Sequence, residues 1–195
     1  MELSRRKKLI WLLGIVLVGA PIVVTASWLV TQTMIEATSG EKFCGDCHSM
    51  KPMAAAYRED RHGGKNGRGF QAKCSQCHLP HGNKLHYFVR KGYNGMKDVF
   101  AELTYVDSIN WEARRNDRER YVYDSGCLQC HSNLANAEPE NELGMVKPKK
   151  FFAGLSVVAH KEYFAGTIKR QCVSCHIHVG HKNLSQHLNA AQSGS

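Results

Sequence analysis

The sequence predicts a mostly α-helical protein with much irregular loop, built as one N-terminal transmembrane helix and a small exported domain. Three observations carry that prediction. Leu9 to Val30 is an uncharged run of 22 residues, and about 20 helical residues cross a bilayer core. The rest of the chain shows almost no period-two alternation of apolar and polar residues, so little strand is expected. Its apolar periodicity is also too sparse for the remaining 165 residues to fill an interior with side chains alone, so something other than protein is expected in the core.

The N-terminal element carries its own orientation. Arg5, Arg6, Lys7 and Lys8 precede the apolar run, and the first charge after it is Glu36. The positive-inside rule then places the N-terminus in the cytoplasm and residues 31–195 outside, which in a bacterium is the periplasmic side of the inner membrane. A cleaved signal peptide is the competing reading. Its apolar region would be about 7–15 residues with an A-x-A-like site behind it. This run is longer and has no convincing site of that kind, so an uncleaved anchor is expected. Pro21, Thr25 and Ser27 weaken the helix without breaking it.

Residues 1–8 are thus expected to be a cytoplasmic basic segment, 9–30 the anchor, 31–42 a linker, 43–184 the periplasmic domain and 185–195 a flexible tail. Within the domain, residues 61–69 have the composition of a Gly-rich loop. Residues 108–123 suggest a charged helical segment. Phe151, Phe152, Leu155, Val158, Ala159 and Phe164 fall roughly at helical spacing.

All eight cysteines fall in one pentapeptide, C-x-x-C-H, at Cys44–His48, Cys74–His78, Cys127–His131 and Cys172–His176. The first cysteines are 30, 53 and 45 residues apart, a pattern of two motif pairs separated by an insertion. An oxidising compartment turns cysteine pairs into disulfides unless something occupies them. C-x-x-C-H is the attachment signal of c-type haem. Two cysteines three apart lie within about one helical turn and can form thioethers to the two vinyl groups of one porphyrin edge, and the next residue supplies an imidazole beneath the iron. The alternative is zinc, with Cys44, Cys47, Cys74 and Cys77 as one four-thiolate site and the other four as a second. Zinc needs no histidine after each pair, yet all four pairs have one. Four covalent haem c groups are therefore expected, with Cys44, Cys47, Cys74, Cys77, Cys127, Cys130, Cys172 and Cys175 as their anchors, and the core of the domain is the haems themselves.

A low-spin electron-carrying haem takes a second axial ligand, often histidine. His62, His81, His86, His160, His178, His181 and His187 lie outside the motifs. By count about half must do something else. His86 and His187 look solvated, His178 is only two residues from His176, and His81 after Pro80 suits a propionate. In the first motif, Met50 stands two residues beyond His48. A thioether is a legitimate haem ligand, and equally a common core filler.

The short basic N-terminus, single anchor and four motifs resemble the NapC/NirT/NrfH family of membrane-anchored tetrahaem cytochromes c, which are quinol dehydrogenases. The local matches are Cys44–Met50, Arg61-His62-Gly63, Cys77–Gly82, the Lys91 and Asp98 pair, and Cys172–His181. Numbering the haems by motif, the resemblance implies that Met50, rather than His48, ligates haem 1 and that Asp98 faces it with Lys91 in a quinol pocket. His78, His131 and His176 would be motif ligands to haems 2, 3 and 4. It further implies His181 as the second ligand of haem 2, His62 of haem 3 and His160 of haem 4. The family often shows Lys-Gly-Ile-Ala-His after the last motif, where this chain has Ile177-His178-Val179-Gly180-His181.

The expected function is oxidation of menaquinol or another quinol from the membrane pool, with electrons passed to a periplasmic nitrite or nitrate reductase in anaerobic respiration. Asp98 would take protons, Lys91 would stabilise charge on the quinol oxygen, and Tyr87, Phe88, Tyr93 and Phe100 would line the pocket. Association into a homo-oligomer within such a complex stays open. Two other readings compete: a self-sufficient haem reductase of a small oxidant, and a haem wire without a quinone site. The formal charge of +9 does not point to nucleic acid. Residues 1–8 hold +3 of it on the cytoplasmic side, and the remaining +6 is offset by about eight haem propionates.

Overall fold

The fold comes from a computed structural model that describes residues 4–134 and 160–193. Among these residues the chain is helix, turn and loop with no strand. The apolar positions at 151, 152, 155, 158 and 159 lie outside the described residues, while 160–164 are helical.

The anchor is one helix, α1 (Arg5–Ala37), 33 residues long with no buried residue, or about 50 Å at 1.5 Å per residue. Pro21 cannot donate a backbone hydrogen bond to the preceding turn, and its ring crowds that turn. The helix accommodates it by widening to π geometry over Ile15–Gly19. The segment from residue 31 that composition suggests is a linker is instead helical to Ala37. The hydroxyls of Thr31 and Thr33 are satisfied by carbonyls one turn back, so these polar residues cost the helix little.

The haem-binding domain begins with short α2 (Glu41–Cys44), a 3-10 turn over His48–Met50, and α3 (Lys51–Glu59). The Gly-rich loop follows. Asn66 holds it closed, its amide donating to the Arg61 and Phe70 carbonyls at 2.6 Å each. Then come α4 (Cys74–His78), α5 (Lys84–Thr104), α6 (Trp111–Arg114), α7 (Asp124–Cys130), α8 (Cys172–Cys175) and α9 (Leu184–Ser193). The stretch 108–123 is not one helix. It is α6 and a 3-10 segment over Arg115–Arg120 with a non-helical kink at Asp117.

Side chains form only a thin interior. The buried apolar residues are Ala54, Ala56, Tyr57, Ala72, Leu79, Val173, Leu184 and Leu188, and no large side chain among the described residues is fully buried. The C-terminal stretch expected to fray is ordered as α9. Leu184 and Leu188, at i and i+4, share one face and pack on Ala56 of α3, with Met53 and Trp111 at the margin. Asn183 and His187 both reach Glu59, at 3.1 and 3.3 Å. Leu188→Ala is expected to lower stability by about 2 kcal/mol, the lower end for a buried leucine because the helix is terminal. The thermal unfolding midpoint of the holoprotein checks this.

Candidate functional site

Motifs two, three and four each carry both cysteines on one short helix, a turn apart, whereas in motif one Cys44 ends α2 and Cys47 follows in the turn. The first cysteines meet in pairs: Cys44 with Cys74, and Cys127 with Cys172, each within hydrogen-bonding reach. Asp124 ties the second pair, accepting from the Cys172 backbone N–H at 2.9 Å and from the Tyr163 hydroxyl. Motifs two and three are joined by the Tyr123 N–H donating to the Cys77 carbonyl at 3.0 Å. Gly126 makes that approach possible, because a Cβ there would stand 1.8 Å from the Gln76 carbonyl oxygen. Gly126→Ala is expected to push α4 and α7 apart at a cost of about 3 kcal/mol, seen as a lower unfolding midpoint and poorer haem incorporation.

Thiolates do not converge as a zinc site requires. Among the described residues, the single group of three close donor atoms is Asp124, Cys127 and Cys172, which lacks the four-donor set of structural zinc.

The histidines do converge, in pairs. The His78 and His181 rings are 6.1 Å apart, His62 and His131 6.3 Å, and His160 and His176 6.1 Å, centroid to centroid. Two imidazoles on opposite sides of one metal, with about 2 Å per metal–nitrogen bond, have ring centres about 6 Å apart. Three of these rings have Nδ1 engaged. His78 Nδ1 lies 2.8 Å from the Tyr121 carbonyl, His181 Nδ1 3.1 Å from the Met53 carbonyl, and His62 Nδ1 3.0 Å from the Asp60 carboxylate. Such partners fix the tautomer that leaves Nε2 free for a metal. Burial lowers the pKa of His78. Burial, then the nearby His78, lowers that of His181 to about 4. The hydrogen bond to Asp60 raises that of His62 against the effect of burial. These donors, and an interior short of apolar side chains, fit covalently held haem.

The other histidines stand apart. His178 and His86 are exposed, and His81 spends Nε2 on the Ser75 carbonyl at 3.1 Å while its ring lies 5.3 Å from Tyr87. At motif one, His48 is exposed and Met50 half-buried.

Lys91 and Asp98 both lie on α5, but they do not pair with each other. The Lys91 ammonium donates to the Thr38 carbonyl at 2.9 Å and the Ser39 hydroxyl at 3.1 Å, at the end of α1. Asp98 is exposed and pairs with Lys97 at 3.3 Å. Its charge acts on both Cys44 and Cys47, and that of Lys91 on Cys44. Glu102, one turn beyond Asp98, completes this flank. It accepts from the Ser49 N–H at 3.2 Å and from the Ser49 hydroxyl, which fastens the turn bearing Met50 to α5. The hydrogen bond from Ser49 lowers the Glu102 pKa. Sequence reasoning missed Glu102, although its helical phase matches Lys91 and Asp98.

The expected aromatic lining does not assemble. Tyr93 and Phe100 fall on the opposite flank of α5 from Lys91 and Asp98, while Tyr87, one turn before Lys91, lies on their flank but packs its ring against His81. Phe88, three residues before Lys91, borders the same flank. The cause is helical phase: residues two apart from the site positions point about 200° away.

A model of the NapC/NirT cytochrome c family, N-terminal region, matches residues 5–186. Among curated relatives, the tetraheme c-type cytochrome CymA of Shewanella oneidensis is 28% identical over 87% of this chain and 90% of its own. The cytochrome c-type protein NrfH of Wolinella succinogenes is 30% identical over 53% of this chain and 54% of its own, so about half of each is covered. The denitrification system component NirT of Stutzerimonas stutzeri is 30% identical over 68% of this chain and 69% of its own. No solved structure matches the chain. With four C-x-x-C-H motifs, a strand-free helical fold and one apolar N-terminal helix already in place, the match over 5–186 shows that this chain belongs to the NapC/NirT family as a membrane-anchored, electron-transferring c-type cytochrome with covalent haem c.

Proposed function

We propose that the protein oxidises menaquinol or a related quinol beside haem 1 and delivers the electrons to a periplasmic nitrite or nitrate reductase. The N-terminus is cytoplasmic and the haem domain periplasmic. His78 and His181 would hold haem 2, His62 and His131 haem 3, and His160 and His176 haem 4, with Met50 on haem 1. Ring separations near 6 Å support the three histidine pairs, and the engaged Nδ1 atoms of His78, His181 and His62 add to the pairs for haems 2 and 3.

One observation carries the quinol reading: Lys91 reaches the end of the membrane helix at Thr38 and Ser39 while its own charge, and that of Asp98, act on the first cysteine of motif one. A quinol gives up two electrons and two protons. Haem supplies a one-electron acceptor at each motif. An ammonium has three donors, and Lys91 uses two, so one remains for the quinol oxygen, where it stabilises the charge that develops as the O–H proton leaves. The Asp98 carboxylate accepts that proton. Because Asp98 is exposed, it passes the proton to water before the second is released.

Mixing the oxidised full-length protein with a menaquinol analogue in detergent is expected to reduce its haems. No reduction would overturn the reading in favour of a haem wire. Sustained nitrite reduction by the protein alone would favour a self-sufficient reductase.

A further inference from the structure

None of the 21 residues of α5 is buried. Leu85, Val89, Met96, Val99 and Leu103 form one stripe along it, from 57% to 80% exposed, at spacings that keep them on a single helical face.

The contacts of the other faces show where this stripe does not point. The flank of Lys91, Asp98 and Glu102 turns to motif one and the end of α1. The side opposite the stripe holds the domain: Tyr87 packs on His81, and Arg90 Nε donates to the Tyr123 hydroxyl at 2.9 Å. The stripe faces away from the attachment points of haems 1, 2 and 3.

Lys91 pins the middle of α5 to the Thr38 carbonyl and Ser39 hydroxyl, where the chain leaves the membrane helix. Lys84, Arg90, Lys91 and Lys97 outnumber Asp98 and Glu102 on the polar faces, which suits an anionic leaflet. A strongly amphipathic helix with basic flanks lies in the plane of the interface, its apolar face about 5–10 Å into the headgroup and acyl boundary.

We propose that α5 is a second membrane contact: an interfacial helix whose Leu85–Leu103 stripe is immersed in lipid beside the exit of α1. The stripe then fixes the tilt of the haem domain, and it puts the Lys91 and Asp98 flank at the height of the lipid headgroups. Lipid contact stands independently of quinol oxidation, and the test measures contact rather than turnover.

The full-length holoprotein is reconstituted in phosphatidylethanolamine and phosphatidylglycerol vesicles and photolabelled with a lipid-partitioned aryl diazirine, and adducts are mapped by peptide mass spectrometry. The expected result is label in α1 and on Leu85, Val89, Met96 and Leu103, about tenfold above Tyr87 and Ala101 of the same helix. Label confined to α1 overturns the proposal. Strong labelling of the stripe by a water-soluble diazirine also overturns it and marks a docking face for a soluble partner. Protection from both reagents overturns it too, with a second copy of the chain as the cover. In M96K/L103K, lipid-side label on α5 should fall several-fold while label in α1 and the haem absorbance persist; unchanged label on α5 counts against the proposal.

Discussion

Asp98→Asn is expected to lower quinol oxidation by about 10²–10⁴-fold, the usual contribution of a positioned general base, while all four haems remain attached. The substitution keeps the shape of the side chain and removes its ability to accept a proton. Asp98 is exposed and its ion-pair partner is Lys97, 3.3 Å away on the surface. Exposed pairs of that kind contribute little to stability, so the variant should fold and mature normally. The readout separates the role in proton transfer from a structural one. Dithionite should reduce the variant as fully as the wild type, whereas a menaquinol analogue should do so slowly. Turnover close to wild type would remove Asp98 from the chemistry and leave Lys91 as a tether between α5 and the anchor.

Much of the architecture is legible in the sequence, and the rest is hidden for physical reasons. C-x-x-C-H carries its own geometry, since one helical turn separates the cysteines, and the anchor shows itself as an uninterrupted apolar run. The thin interior followed from the same sparse periodicity, and the few buried side chains agree with it. The α9 helix was not legible, because Leu184 and Leu188 alone provide its apolar face among polar neighbours. Its order comes from packing on Ala56 and from Glu59, about 125 residues earlier in the chain. Such long-range contacts leave no local signal. The polar end of α1 misled in the other direction: Thr31 and Thr33 look like linker residues until their hydroxyls bond the preceding turn. At the site, the aromatic residues near Lys91 and Asp98 in sequence suggest a lining. Helical phase separates Tyr93 and Phe100 from them, while the same phase brings in Glu102.

The histidine after the last motif offers the second large effect. His178 and His181 are three residues apart and compete for one role in the sequence. His178 is exposed, whereas His181 is half-buried with its ring 6.1 Å from His78 and its Nδ1 3.1 Å from the Met53 carbonyl. Gly180, at φ +81°, lies in the left-handed region that favours glycine, and this turn carries the chain from one histidine to the other. With its pKa lowered to about 4 by burial and by His78, His181 is neutral at pH 7 and keeps its lone pair for a metal. His181→Ala is therefore expected to convert haem 2 from low to high spin, a loss of about a third of the low-spin signal because haems 2, 3 and 4 are the ones with two axial histidines, and to interrupt electron delivery beyond haem 2. His178→Ala should leave both unchanged. Electron paramagnetic resonance of the oxidised proteins makes the comparison directly. The opposite outcome, with His178→Ala producing the high-spin species, would reassign the ligand and require the 177–181 turn to rearrange around the iron.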